Sequence, residues 1–120
     1  MGSAATSKAA ESSDNEAGAA EALAPLRRKI DALDREIVGL LAKRFQVVRQ
    51  VAALKTESGI AVRLPGRIEE VCARVAEQGG REGLDPDFLR QLYRQIIEEA
   101  CALEDRLIAD HSAETLRSDR

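Results

Sequence analysis

The chain has 120 residues, carries a net charge of -3 and interleaves 18 basic with 21 acidic residues. It is rich in Ala, Leu, Arg and Glu but has no Trp, one Tyr and two Phe, a composition that favours helices over strands. This length suits one domain, and the sequence has neither a basic tract for nucleic acid nor an apolar run of about 20 residues for a membrane.

The first 20 residues are predicted to form a disordered tail, because they are mostly Ala, Ser, Gly, Asn and Glu without an apolar period. From Leu23 a helical repeat begins that continues to Lys55, and Ser58 and Gly59 are predicted to end this first helix. Its apolar stripe has side chains alternately four and three residues apart and is interrupted by Arg44. The stripe consists of Leu26, Ile30, Leu33, Ile37, Leu40, Val47, Val51 and Leu54.

The length of this helix predicts a dimer. About 35 helical residues span roughly 50 Å, whereas a compact domain of about 90 residues has a radius of gyration near 12 Å. The helix therefore extends beyond any core that one chain can build, and the outer half of its stripe requires a second protein surface. A symmetric homodimer is the simplest source of that surface.

Two further helices are predicted. A short one starts at Pro65 and stops at residues 79–80, because proline suits a first helical turn and glycine a helix end. A helix of medium length starts with Asp85 as N-cap and Pro86 as its first residue and runs to about Asp110. The fold class is therefore all-α, with a helical domain over residues 21–110 and a frayed tail over residues 111–120.

The sequence offers no nucleophilic triad and no metal site. The single histidine, His111, falls in the predicted tail, and Cys72 and Cys101 belong to no CxxC pair. We therefore expect no metal and no cofactor. Two free thiols and the lack of a signal or transit peptide suggest a cytoplasmic protein.

Two cations break the apolar pattern of the first helix. Arg44 lies in the centre of the stripe, and Lys55 follows it by eleven residues, so that the two share a face to within about 20°. Unpaired charges on a buried face are costly. Three explanations are open. An acid from another helix forms an ion pair with these cations, their long side chains extend to solvent, or both line a cavity for an anionic ligand.

Two other charged residues are candidates for such a cavity. Arg27 precedes Arg44 by seventeen residues and points about 100° away from it, toward a different site, that of the partner in a dimer. Glu104 borders the apolar face of the third helix, four residues after Ala100. It is either a surface acid or a cavity residue that burial would keep protonated, so that it could donate a hydrogen bond.

Three segments resemble the all-helical chorismate mutases, which are also called type II. Residues 26–34 (LRRKIDALD) and 40–44 (LLAKR) resemble the first helix of that family, and residues 92–99 (LYRQIIEE) resemble its last helix. Lys55 and Arg67 fall at the family spacing, and the resemblance covers roughly residues 21–108. It implies an intertwined dimer with shared active sites, in which each site receives one arginine from the partner subunit.

The resemblance also implies roles for single residues. Arg27 corresponds to the arginine that the partner supplies, and Arg44 to the one that clamps a substrate carboxylate. Lys55 would contact a carboxylate and the ether oxygen, and Arg67 would help to charge and order the site. Glu104 stands where many members have a glutamine that donates to the ether oxygen, so that it must be protonated to do the same.

The implied reaction is a Claisen rearrangement of a small dicarboxylate, which needs no cofactor. Such an enzyme holds the flexible side chain of its substrate over the ring and stabilises the charge that grows on the ether oxygen. Typical members have acids at the places of Leu64 and Ile68, where they contact the C4 hydroxyl group, and a serine at the place of Ala100. The pocket is therefore expected to treat the C4 substituent differently.

These departures leave the substrate open. Residues 64–68 (LPGRI) resemble both the mutases of 4-amino-4-deoxychorismate and the isochorismate pyruvate lyases, and residues 98–105 (EEACALED) resemble the former. We expect an isomerase that converts chorismate to prephenate or 4-amino-4-deoxychorismate to 4-amino-4-deoxyprephenate. The alternatives are the lyase and a helical dimerisation module without activity.

Overall fold

Three α-helices make up the chain. A computed structural model describes the backbone of residues 3–118 and the side chains of residues 15–118. The helices are α1 (Ser3–Ser58), α2 (Pro65–Arg81) and α3 (Pro86–Ser118), and no strand occurs in the described residues. The predicted all-α fold with one long, one short and one medium helix is confirmed. No helix within residues 3–118 has an apolar segment long enough to cross a membrane.

Two helices are longer than the sequence pattern predicts. α1 begins at Ser3 instead of near Leu23, and α3 continues to Ser118 instead of ending near Asp110. Residues 3–20 and 111–118, which we predicted as a disordered and a frayed tail, thus have a helical backbone. Both predictions relied on the missing apolar period, but an exposed helix needs no apolar face. Alanine, which is frequent in residues 3–20, has the highest helix propensity of all residues.

The chain divides into two units, residues 1–42 and residues 43–120. The described residues of the first unit all belong to α1. The side chains of Leu26, Ile30, Leu33 and Ile37 in this unit are each more than half exposed. The N-terminal part of the predicted stripe therefore lacks a covering surface.

The core of the second unit lies between α2 and α3. Val71 and Cys72 of α2 pack against Ile97 and Cys101 of α3, and all four side chains are buried. Partly buried side chains surround this cluster, namely Val62, Ile68, Val75 and Tyr93. Both cysteines are free thiols, as predicted, and their burial makes them part of the core.

The part of α1 in the second unit packs with a face that differs from its predicted stripe. Ala52 is buried and Val48 is half-buried, whereas Val47 and Leu54 on the stripe are more than half exposed. Positions 47 and 48 differ by one residue, which corresponds to about 100° around the helix axis. Within a single chain the most apolar line of α1 is thus left uncovered.

The turn after α2 ends that helix at a different glycine from the predicted pair. α2 continues through residues 79–80 to Arg81, and Gly83 has the positive φ of 84° that an L side chain rarely adopts. The N–H of Leu84 donates to the carbonyl of Gly79 at 2.8 Å, and the N–H of Gly83 donates to that of Gly80 at 3.3 Å. These two bonds form a Schellman motif, so that Gly83 is the terminating residue.

Gly79 instead permits α2 and α3 to approach closely. The residue is buried, and a Cβ atom in its place would overlap Cδ1 of Leu89 on α3. A Cβ atom on Gly80 would only make ordinary contact, at 3.5 Å, with Cγ of Pro86. The glycine pair thus contains one position that packing requires and one that it does not.

α3 starts as the sequence predicts. Pro86 is its first residue, and Oδ1 of Asp85 accepts a hydrogen bond of 2.9 Å from the N–H of Asp87. Farther along α3, Nη1 of Arg90 lies 3.1 Å from Oε1 of Glu69 on α2. The cap thus fixes the first turn of α3, and the ion pair links this helix to α2.

Candidate active site

A cavity of about 160 Å³ lies in the second unit, between the C-terminal part of α1, the loop that follows it, α2 and α3. Its charged lining residues are Arg44, Lys55, Arg67 and Glu104. The rest of the lining is apolar and consists of Val48, Val51, Val62, Leu64, Ile68, Val71, Ile97, Ala100 and Cys101. Charged groups thus converge on a small space with apolar walls, which is the usual design of a binding site for a small ligand.

Lys55 and Glu104 form a buried ion pair in this cavity. Nζ of Lys55 lies 2.9 Å from Oε1 of Glu104, and only 12% and 6% of the two side chains are exposed. Nζ also donates a hydrogen bond of 2.6 Å to the carbonyl oxygen of Val62 in the loop after α1. The ammonium group is therefore held between α3 and this loop.

The Oε1 atom of Glu104 has no hydrogen-bond donor in good geometry. It is fully buried, and the contact with Lys55 meets the distance but not the angles of a hydrogen bond. A buried carboxylate oxygen without a donor is destabilising. A donor group of a bound ligand at this position would relieve that cost.

Arg44 has no acidic partner among the side chains of residues 15–118. It is half-buried, and its Cζ atom lies 6.0 Å from the centroid of the Tyr93 ring on α3. The face of an aromatic ring attracts a cation but leaves the N–H groups of the guanidinium unpaired. Arg44 can therefore bind a carboxylate with two parallel hydrogen bonds.

Arg67 lies on the more exposed side of the cavity. Its Nη1 atom is 2.9 Å from Oε1 of Glu70, one helical turn further along α2, and both side chains are more than half exposed. Exposed ion pairs of this kind are weak. An anionic ligand could therefore compete with Glu70 for Arg67.

The apolar wall contains a cysteine that the sequence did not suggest as a cavity residue. Cys101 is buried beside Glu104, and the pKa of its thiol is raised, first by burial and then by the negative charge of Glu104. The thiol is therefore neutral near pH 7 and acts as a small apolar side chain. Val48, Val62 and Ile97 line the cavity in the same way.

The structure brings seven of the eight predicted site residues to this one cavity. They are Arg44, Lys55, Leu64, Arg67, Ile68, Ala100 and Glu104. Of the three possibilities for Lys55, the structure has two, because its side chain pairs with an acid of α3 and also lines the cavity. The eighth residue, Arg27, belongs to the first unit, and its role at the site of a partner subunit stays a prediction.

The sequence analysis missed an ionic cluster next to the cavity. Arg63, in the loop after α1, donates to both oxygens of Glu98 and, at 2.8 Å, to Oδ2 of Asp105 on α3. Glu98 and Asp105 are seven residues apart and thus lie on one face of α3, which was the available signal. Their common partner could not be inferred from that spacing. No group of three or more metal-ligating side chains occurs in the part of the chain that the structure describes.

The family model for chorismate mutase type II matches residues 26–105. This chain belongs to the chorismate mutase type II family. The match includes the last part of α1, α2 and most of α3, and with them every residue that lines the cavity. Membership in this family makes the protein an isomerase of the chorismate mutase type.

Three relatives illustrate the likeness within this family. A 4-amino-4-deoxychorismate mutase from Streptomyces pristinaespiralis is 35% identical over 81% of this chain and 75% of its own length. One of the same name from Streptomyces venezuelae is 34% identical over 72% of this chain and 84% of its own. A chorismate mutase from Methanocaldococcus jannaschii is 28% identical over 75% of this chain and 91% of its own length. These relatives favour the mutase over the lyase and over the inactive dimerisation module.

Proposed function

We propose that this enzyme rearranges 4-amino-4-deoxychorismate to 4-amino-4-deoxyprephenate in the cavity described above. The observation that carries the proposal is the convergence of Arg44, Lys55 and the buried Glu104 on one cavity with apolar walls. Two cations match the two carboxylates of such a substrate. The cavity is small and largely apolar, which strengthens each charge–charge contact relative to water.

The proposed reaction is intramolecular and pericyclic. A carbon–carbon bond forms while the ether carbon–oxygen bond breaks, and no proton, electron or group leaves the molecule. The residues of the enzyme therefore have two tasks, to hold the substrate in a folded conformation and to stabilise the negative charge that develops on the ether oxygen. Arg44 performs the first task by clamping a carboxylate.

Lys55 and Glu104 perform the second task in this proposal. Nζ of Lys55 already has two oxygen neighbours, Oε1 of Glu104 and the carbonyl of Val62, and keeps a third N–H for the substrate. Glu104 acts in its protonated form and donates a hydrogen bond to the ether oxygen.

An intertwined homodimer is part of this proposal. Leu26, Ile30, Leu33 and Ile37 are exposed in the first unit, and Val47 and Leu54 in the second. A second α1 that runs past the first would cover these side chains. Arg27 of one subunit would then complete the site of the other, and Arg67 would close the cavity from α2.

Leu64, Ile68 and Ala100 support the choice of the 4-amino substrate. These side chains form apolar parts of the cavity wall, where the family resemblance expects two acids and a serine around a C4 hydroxyl group. Two similar relatives are named for the 4-amino substrate. Chorismate is the second candidate, because the archaeal relative that aligns over 91% of its length is a chorismate mutase.

We further propose that residues 21–110 are the catalytic domain and that the enzyme works in the cytoplasm. The family match over residues 26–105 supports these domain limits. Two buried free thiols suit a reducing compartment. Neither proposal affects the assignment of the cavity.

A comparison of substrates tests the function. The purified protein receives 4-amino-4-deoxychorismate, chorismate or isochorismate, and the loss of each is followed by absorbance. We expect the highest kcat/KM with the 4-amino substrate and at least a hundredfold lower value in Arg44→Ala. A higher kcat/KM with chorismate would mean that chorismate, and not the 4-amino compound, is the substrate. No turnover of any of the three compounds would refute the enzymatic proposal.

A further inference from the structure

Arg63 connects the loop after α1 to two turns of α3. Its Nε and Nη2 atoms donate to the two carboxylate oxygens of Glu98, and its Nη1 atom donates to Oδ2 of Asp105 at 2.8 Å. The hydrogen bonds from Arg63 lower the pKa of Glu98, so that this carboxyl group stays ionised over a wide pH range. The guanidinium thus uses three N–H groups on two carboxylates that lie two turns apart.

The two neighbours of Arg63 in the chain both belong to the cavity. The carbonyl of Val62 accepts the hydrogen bond of 2.6 Å from Nζ of Lys55, and the side chains of Val62 and Leu64 line the wall. Arg63 itself does not line the cavity. A displacement of Arg63 would therefore move the carbonyl that holds Lys55 and the wall at Leu64.

Few other hydrogen bonds hold this loop. Within the described structure the N–H of Ile60 donates to the carbonyl of Lys55, and the carbonyl of Leu64 accepts from the N–H of Ile68. Among the residues whose side chains the structure describes, Lys55 alone bonds the backbone between these two bonds, at the carbonyl of Val62. Within residues 15–118 the side chain of Arg63 thus makes the one direct polar contact between the middle of the loop and α3.

We propose that Arg63 is a positioning residue of the enzyme, which acts through Val62 and Leu64 to place the ammonium group of Lys55 in the cavity. This inference rests on the proposed function. Arg63 and its partners are between 42% and 64% exposed, and pairs so exposed contribute little to global stability. The ion pairs of Arg63 therefore fix the position of the loop but add little to the stability of the fold.

The test compares Arg63→Ala with Arg90→Ala and Arg63→Lys. Arg90 forms a similarly exposed ion pair with Glu69 but is not part of the cavity wall or the loop, so that it is the matched control. We expect Arg63→Ala to lower kcat on the 4-amino substrate by on the order of tenfold, because small displacements of catalytic groups have large effects on rate. Arg63→Lys should recover only part of kcat, because an ammonium group cannot bind both carboxylates in the same geometry.

Two further measurements separate positioning from folding. The thermal midpoint of Arg63→Ala should stay within about 2 °C of that of Arg90→Ala. Amide hydrogen exchange at Ile60 and Ile68, whose bonded N–H groups close the two ends of the loop, should be at least tenfold faster in Arg63→Ala than in wild type and unchanged in Arg90→Ala. Exchange at the buried residues 97 and 101 should be the same in all three proteins.

The outcomes decide the inference separately from the proposed function. Equal kcat values for Arg63→Ala and Arg90→Ala in an active wild type would overturn the inference and leave the function intact. A loss of kcat that follows the thermal midpoint would also overturn it, because the role would then be structural. An inactive wild type would refute the function, and unchanged exchange at Ile60 and Ile68 in Arg63→Ala would then refute the positional role as well.

Discussion

Nζ of Lys55 lies 2.9 Å from Oε1 of Glu104, and both side chains are almost completely buried, one on α1 and the other on α3. Taking both charges out of water is costly, so that their attraction contributes little net stability. The pair nevertheless couples the two residues, because the loss of either leaves the other charged and without a partner.

A double-mutant cycle measures this coupling. Lys55→Met leaves the buried Glu104 carboxylate without its cation, and we expect a loss of roughly 3 kcal/mol in the free energy of unfolding at pH 7. The double variant Lys55→Met, Glu104→Leu should regain most of this loss but remain inactive. Urea unfolding of the wild type, both single variants and the double variant gives the four values. Additive losses would mean that the two charges do not interact.

The pH dependence of Glu104→Gln tests the protonated role of Glu104. A protonated carboxyl group can donate to the ether oxygen and a carboxylate cannot, so that a donor role of Glu104 would make kcat of the wild type sensitive to pH. A glutamine donates at every pH. We expect a nearly flat profile of kcat in Glu104→Gln between pH 5 and 9. Parallel profiles in the two proteins would exclude Glu104 as the donor.

Mixed dimers test whether Arg27 serves the partner's site. Arg27→Ala and Arg44→Ala subunits should each be nearly inactive alone, because each homodimer lacks one arginine in both sites. Subunits of the two kinds, when unfolded together and refolded, should form heterodimers with one intact site. About half of the dimers are then mixed, so that roughly a quarter of the wild-type activity should return. Inactive heterodimers of confirmed composition would show that the two arginines do not act in a shared site.

Gly79 and Gly80 offer a matched pair of substitutions. Gly79→Ala places a methyl group into Leu89, and we expect a loss of about 1–3 kcal/mol from the overpacked contact between α2 and α3. Gly80→Ala meets only ordinary contacts and should leave stability unchanged or raise it by up to about 1 kcal/mol, because alanine favours the helix. Denaturant unfolding compares the two variants. Equal effects would mean that α2 and α3 do not pack closely at Gly79.

Thiol modification tests the burial of Cys101. Burial and the nearby Glu104 charge raise the pKa of this thiol, so that little thiolate exists at pH 8. In a Cys72→Ala background, where Cys101 is the sole thiol, a disulfide reagent should react at least a hundredfold more slowly with the folded than with the urea-unfolded protein. Glu104→Gln removes a negative charge that raises this pKa and should speed the folded reaction. Similar rates in folded and unfolded protein would contradict the buried position.

The sequence by itself determined the helices of this protein and most of the residue types at its site. The apolar period predicted the long first helix and its end at Gly59, and Asp85 and Pro86 marked the start of the third helix. Each of these features depends on neighbours within a few residues, as helical hydrogen bonds and caps do. The two cations on one face of α1 were visible for the same reason, since a helix repeats its faces at a constant angle.

Only the tertiary structure decided which groups meet. It paired Lys55 with Glu104, placed Arg63 between Glu98 and Asp105, and turned the face of Val48, rather than that of Val47, toward the core. These ion pairs join residues that are 35 to 49 positions apart in the sequence. A helical repeat relates only residues a few positions apart, so it cannot predict such pairs. The helical tails were missed for the opposite reason: backbone hydrogen bonds and alanine propensity can form a helix without the apolar face that reveals it in a sequence.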